Sequence, residues 1–239
     1  MVARARAAGI ERLLVPGFDL ASSRDAVALA VELPDLVRAA VGIHPHYAAA
    51  AAEAAWAELE ELAAAPGVVA VGEIGLDYFR NLSAPEAQRD AFARQLDLAA
   101  RHELPVIVHD RDAHADVLAA LTGWGGSGRA AGAPRGVLHA FSGDAAMARA
   151  AVDAGFLCSF ALPVAFRSAA GPRAAAVDLP EGGFLVETDA PWLAPAGAGQ
   201  RNEPTTVLRV AAELAALRGS SPEQVAAGAR AAFDRLVGG

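Results

Sequence analysis

The sequence predicts an α/β protein built as a (β/α) barrel. Two observations carry the prediction. Short β-like apolar runs alternate with helical stretches along all 239 residues, which at this length favours a parallel sheet, closed as a barrel or open and doubly wound. Four of the runs also end in a residue able to hold a metal ion. They are Val68–Glu73, Pro105–His109, Gly136–His139 and Phe184–Asp189. In a barrel the C-terminal ends of all strands open onto one face, whereas an open sheet keeps the ends of distant strands apart. Donors on several non-neighbouring strands therefore favour the barrel.

The elements follow in order. A run at Arg12–Phe18 is the first recognisable strand, followed by a helix with Ser22 or Ser23 as its cap. Leu36–Ile43 is the next strand and leads to an Ala/Glu-rich helix through about Ala65. After the Glu73 run, Ser83 is positioned as an N-cap with Pro85 just inside the helix. That helix shows Phe92, Leu96 and Ala99 on one face. The His109 strand, a helix over about Asp112–Leu121 and a Gly-rich surface loop at Gly123–Gly136 come next. The His139 strand, a helix over Asp144–Ala154 and a strand over Gly155–Phe160 precede an ill-defined stretch to Pro180. The Asp189 strand and two helices end the chain, one with Val207, Val210, Leu214 and Leu217 on a face and one opened by Ser221–Pro222. Seven strands are recognisable in a single expected domain over residues 1–239.

Composition narrows the function. Hydrophobic residues make up 54% and charged residues 20%, enough for a large core and against disorder. No apolar run reaches the roughly 18–20 residues of a spanning helix, and no signal peptide is read, so no membrane association is expected. The single Cys158 has no internal partner and suits a buried strand in a reducing cytoplasm. A net charge of −8 argues against charge-driven coating of nucleic acid, but bound divalent ions would supply the positive charge that a phosphodiester needs.

Each donor has a bland alternative. Glu73, closing an apolar run, must be paired, protonated or metal-bound. His109 alone reads as a hydrogen-bonded core histidine, and Asp189 before Pro191 reads as a turn former. Asp77 suits a turn or a supporting role, and His114 is weaker than His109. His44-Pro45-His46 is a rigid segment at another strand end, equally suited to a phosphate or a metal. Arg111 and Arg201-Asn202-Glu203 read either as structural groups or as a substrate clamp. Four strand-end donors occurring together favour one metal site over four accidents.

These motifs resemble the TatD family of metal-dependent deoxyribonucleases, within the amidohydrolase-like barrels. The matching segments are Gly42–His46, Gly72–Tyr78, Val108–Ala113, His139–Gly143, Thr188–Pro195 and Arg201–Pro204, in the family's order and across nearly the whole chain. The resemblance implies a TIM-type (β/α)8 barrel holding one to three divalent ions, Mg²⁺, Mn²⁺ or Zn²⁺. It would make Glu73, His109, His139 and Asp189 metal ligands, with Glu73 and Asp189 catalytic and Asp189 orienting or deprotonating water. His44, His46, Arg111, Arg201, Asn202 and Glu203 would bind substrate, which would be single-stranded DNA or frayed DNA ends. No obligate protein partner is inferred. The family's first strand, ending in His-x-His, has no counterpart before Leu13. The resemblance therefore implies a barrel missing β-strand 1, with two exposed sheet edges and impaired activity. The alternatives are an amide or ester hydrolase, such as a D-aminoacyl-tRNA deacylase, and an inactive barrel remnant.

Overall fold

The structure, a computed structural model, describes residues 1–126, 128, 130–195 and 201–238. Two residues of the expected Gly123–Gly136 surface loop, 127 and 129, lie outside the described residues. The chain forms two compact units. One comprises Arg12–Leu138 with Leu236–Gly238, and the other Met1–Glu11 with His139–Arg235.

In the first unit five parallel strands follow chain order: β1 (Leu13–Pro16), β2 (Val37–Val41), β3 (Val68–Asp77), β4 (Val106–Arg111) and β5 (Gly136–Leu138). Helices connect them: α2 (Leu20–Glu32), α3 (Glu53–Ala63), α4 (Pro85–Arg101) and α5 (His114–Gly123). A 3₁₀ turn over Pro45–Ala50 follows β2. Ala39, Ala40, Val41, Ala70, Val71, Ile74, Val106 and Val108 are fully buried, as strands covered on both faces require.

In the second unit helix α1 (Val2–Ala7) precedes β1, and β6 (Phe156–Phe160) pairs in parallel with β7 (Phe184–Val186). Its other helices are α6 (Ala145–Asp153), α7 (Ala170–Asp178), α8 (Val207–Arg218) and α9 (Pro222–Val237), the last running past the unit's end at Arg235. The stretch before Pro180 that carried no clear periodicity is a 3₁₀ turn and α7. The short, Ala-rich α7 buries only Ala175 and Ala176, too few to print an apolar stripe.

The α/β class and the seven parallel strands are as expected. Several boundaries are not. Asp19, not Ser22 or Ser23, caps α2: its carboxylate accepts from the Ser22 N–H at 2.8 Å while the Ser22 hydroxyl accepts from the Asp19 N–H at 3.0 Å. Ser83 does not cap α4, because its hydroxyl is taken by the preceding turn, donating to the His46 carbonyl and accepting from the Ala49 N–H. The expected loss of a first strand is not borne out. Among the described residues seven strands are present, and the segment ahead of β1 is helix α1, with Ala5 fully buried and Arg4 ion-paired to Glu203 at 2.7 Å.

Candidate metal centre

Glu73 does not end its strand. β3 runs on to Asp77, and its register on β4 slips between Val71 and Ile74, so one extra residue sits on the β3 side. Such a bulge re-aims a side chain in mid-strand. Glu73 lies in it, and its N–H donates to the Gly17 carbonyl past the end of β1 at 2.7 Å. Gly42 makes the approach possible, because a Cβ there would lie 2.7 Å from the Gly72 carbonyl carbon. Further along β3, Gly75 faces His109 with φ +134° and no room for a Cβ, which would meet the His109 carbonyl oxygen.

Three side chains converge there. Among the described residues, His44, Glu73 and His109 form a metal-capable group with one ligand atom each, all within 4.8 Å of one another. His109 Nδ1 lies 2.8 Å from Glu73 Oε1, and His44 Nε2 lies 3.4 Å from the same oxygen. Asp77 supports them from below: its Oδ2 lies 2.7 Å from His46 Nε2 and 3.3 Å from His109 Nε2, and its Oδ1 accepts from the Arg80 N–H at 2.7 Å. Burial alone would raise the Asp77 carboxyl. The hydrogen bonds from His109, Arg80 and His46 outweigh it and hold the group well below the usual carboxylate range. Burial pushes His44 the other way, towards its neutral form, against the pull of Glu73.

The donor chemistry fits a divalent ion. A nitrogen and a carboxylate oxygen 2.8 Å apart need positive charge between them, either a proton or a cation. His109 has carboxylates at both ring nitrogens, so Asp77 can take the Nε2 proton and leave the Nδ1 lone pair on the Glu73 side. His44 is placed differently. Its Nδ1 accepts from the His46 N–H at 3.1 Å, which assigns the ring proton to Nε2. Within the group His44 thus presents a donor to Glu73.

The second unit carries its own His–carboxylate set. His139 follows β5 directly, and its Nδ1 lies 2.9 Å from Glu187 Oε1, with Nε2 3.9 Å from Asp189 Oδ1. Glu187 Oε1 also accepts from the Ala140 N–H at 2.8 Å. Ala140 and Asp189 both have left-handed backbone, with φ of 44° and 56°, an uncommon state for non-glycine residues that recurs at functional sites.

The six expected substrate-binding residues divide. His44 lies within the metal-capable group and His46 is held by Asp77. Arg111 is exposed at the end of β4 with its guanidinium 5.0 Å from the Phe79 ring, and Arg201 is exposed. Asn202 and Glu203 are engaged structurally. Asn202 is 1% exposed, and its carboxamide donates to the Thr188 and Leu193 carbonyls, bracing the loop that bears Asp189. Glu203 is paired with Arg4 and accepts from the Thr205 hydroxyl.

Sequence reasoning left Asp77 between a turn and a supporting role, the second of which its bonds to His46 and His109 match, and did not single out Glu187. Glu187 carried the mark used for the other donors, a carboxylate directly after the apolar run Phe184–Val186.

Parallel strands alternating with helices, and a His–carboxylate set in each unit, point to the class of α/β metal-dependent hydrolases. Comparison with known proteins places it further. The profile of the family described as TatD related DNase matches residues 1–238. An uncharacterized metal-dependent hydrolase TatD of Mycobacterium tuberculosis is 45% identical over 233 residues, 95% of this chain and 85% of that protein. A 3'-5' ssDNA/RNA exonuclease TatD of Dickeya dadantii is 37% identical over 229 residues, 93% of this chain and 85% of that protein. The crystal structure of YjjV, a TatD homologue from Escherichia coli K12, superposes with a TM-score of 0.89 at 31% identity, covering 99% of this chain and 90% of that one. The chain belongs to the TatD family of metal-dependent hydrolases.

Proposed function

We propose that this chain is a metal-dependent deoxyribonuclease that cleaves phosphodiester bonds in single-stranded or frayed DNA ends. The observation that carries the reading is the His44–Glu73–His109 group in a chain 37% identical to a protein named as a single-stranded DNA/RNA exonuclease. Glu73 and His109 in one unit, and His139 and Asp189 in the other, would hold divalent ions (Mg²⁺, Mn²⁺ or Zn²⁺). When bound, such ions supply Lewis acidity and offset the charge on the phosphate as the P–O bond breaks. That supply matters here, because a net charge of −8 gives the chain no general attraction for a polyanion.

The chain's own side chains do the rest. Asp189 accepts the proton of the attacking water, a role open to a carboxylate whose side chain is 30% exposed beside a histidine. Glu73 shares the catalytic role by fixing the donors around it. The exposed Arg111 and Arg201 are the groups offered to phosphate oxygens, while His44, turned to Glu73, and His46, held by Asp77, shape the substrate side of the site.

The test is a side-by-side assay of single-stranded DNA, cyclic amides and D-aminoacyl-tRNA with each of the three ions. Cleavage of DNA alone is expected. Amide or ester hydrolysis with DNA untouched would move the chain to the other hydrolase class, and inertness everywhere would leave a non-catalytic barrel. Asp189→Ala should abolish most DNA turnover while the far-ultraviolet circular dichroism stays unchanged. Full turnover in that variant would remove Asp189 from the chemistry.

A further inference from the structure

The segments that follow β1, β2 and β3, and the end of β4, each carry an aromatic ring or a guanidinium that water can reach. Phe18 follows β1 and is 44% exposed, Tyr47 follows β2 at 43%, Phe79 follows β3 at 61%, and Arg111 closes β4. Single exposed apolar side chains are ordinary. These fall into two pairs. The Phe18 and Tyr47 rings lie 5.8 Å apart with 29° between their planes, and the Arg111 guanidinium lies 5.0 Å from the Phe79 centroid. Stacking uses the flat face of the guanidinium and leaves its in-plane N–H donors for a phosphate.

The row is tied to the metal-capable group through the backbone. The His44 N–H donates to the Phe18 carbonyl at 2.9 Å, and the Tyr47 N–H donates to the His44 carbonyl at 2.9 Å. Phe79 lies two residues past Asp77, whose carboxylate holds the Arg80 N–H. With neighbouring strands about 4.8 Å apart, β1 to β4 span roughly 14 Å, enough for a short run of nucleotides.

We propose that Phe18, Tyr47 and Phe79, with Arg111, form a stacking platform for the unpaired bases of a single-stranded nucleic acid. Aromatic rings interleaved with a cation are how single strands are held without sequence preference, because every base has a π-face and a duplex hides it. The platform rests on the nuclease reading of the adjoining site and deepens it. It accounts for selection of single strands by a protein of net negative charge: recognition comes from stacking, and the cation need is met locally.

The test is fluorescence anisotropy of a labelled phosphorothioate oligothymidylate, slow to hydrolyse, against the same length of blunt duplex, with magnesium present. The wild-type protein should bind the single strand more tightly. Phe18→Ala, Phe79→Ala and Tyr47→Leu should each weaken single-strand binding by roughly fivefold or more, whereas Tyr47→Phe, which keeps the ring, should not. Thermal unfolding of each variant identifies any that fails to fold, and the Leu–Phe contrast at position 47 decides the matter independently of the other two. If the wild-type protein cleaves single-stranded DNA and all variants bind it as tightly as wild type, the platform is wrong and the nuclease reading stands. If the wild-type protein neither binds nor cleaves single strands, the nuclease reading fails and the platform falls with it.

Discussion

Asp77 shows how much of a site is decided by a residue outside the donor group. Almost fully buried, it survives as a carboxylate because His46, His109 and the Arg80 N–H all point at it. Holding His109 Nε2 leaves Nδ1 turned to Glu73, which is what a metal-ligating imidazole needs from its outer partner. Asp77→Asn should therefore weaken Mn²⁺ or Zn²⁺ binding by about 10- to 100-fold in calorimetry, with the fold retained. Unaltered affinity would reduce Asp77 to a turn former. Much at this scale was legible beforehand. Glu73, His109, His139 and Asp189 stand out as polar residues closing apolar runs, where an unpartnered charge would be costly. Asp77 was legible only as a turn or supporting group, and Glu187 did not stand out, because a turn motif and a strand-end acid each have a commonplace explanation. The engagement of Asn202 and Glu203 was hidden for another reason: their partners, Thr188, Leu193 and Arg4, are 9 to 199 residues away.

At the scale of elements, helix α4 locks the strand ends that bear the site. Gln95, 1% exposed, accepts from the Ile43 N–H at 2.7 Å and donates to the Ile43 carbonyl, one residue before His44. Gln88, fully buried, does the same for the backbone of Asp77, at 2.8 and 3.1 Å. These carboxamides act as short extra strands, satisfying backbone groups that the sheet has left behind. Gln95→Leu would strand both Ile43 groups, and should lower unfolding stability by about 1–3 kcal/mol in urea titration. A loss near zero would mean that water takes over the bonds. On β6, burial pushes the Cys158 thiol up to about 12. The folded protein should resist thiol reagents at neutral pH and react with one equivalent once unfolded in guanidinium. Prompt labelling of the native state would mean that β6 opens readily. Helix and strand identities were readable from periodicity, but the β3 bulge was not. An apolar run ending at Glu73 looks the same whether the strand stops there or kinks and continues, and only pairing with β4 distinguishes the two.

At the scale of the whole molecule, the chain combines a parallel α/β architecture with His–carboxylate sets on both of its compact units and an overall acidic charge. No helix among the described residues is long and apolar enough to cross a membrane. The expectation that a strand had been lost came from holding the chain to a family pattern at its start. The structure instead places helix α1 ahead of β1, with Ala5 fully buried. The α/β class was legible because seven apolar runs alternated with helices over the entire length, a pattern that local ambiguities at caps and boundaries leave intact. For the proposed cleavage of DNA, an acidic chain must borrow its positive charge, so the activity should switch on and off with the ion. The most direct measurement is cleavage of an end-labelled single-stranded oligonucleotide by protein stripped with a chelator and then supplied with Mg²⁺, Mn²⁺ or Zn²⁺. The stripped protein should leave the strand intact, one or more of the ions should restore its degradation, and Glu73→Gln should abolish that restoration. Cleavage that continues in excess chelator, or that proceeds at full rate in Glu73→Gln, would contradict the account.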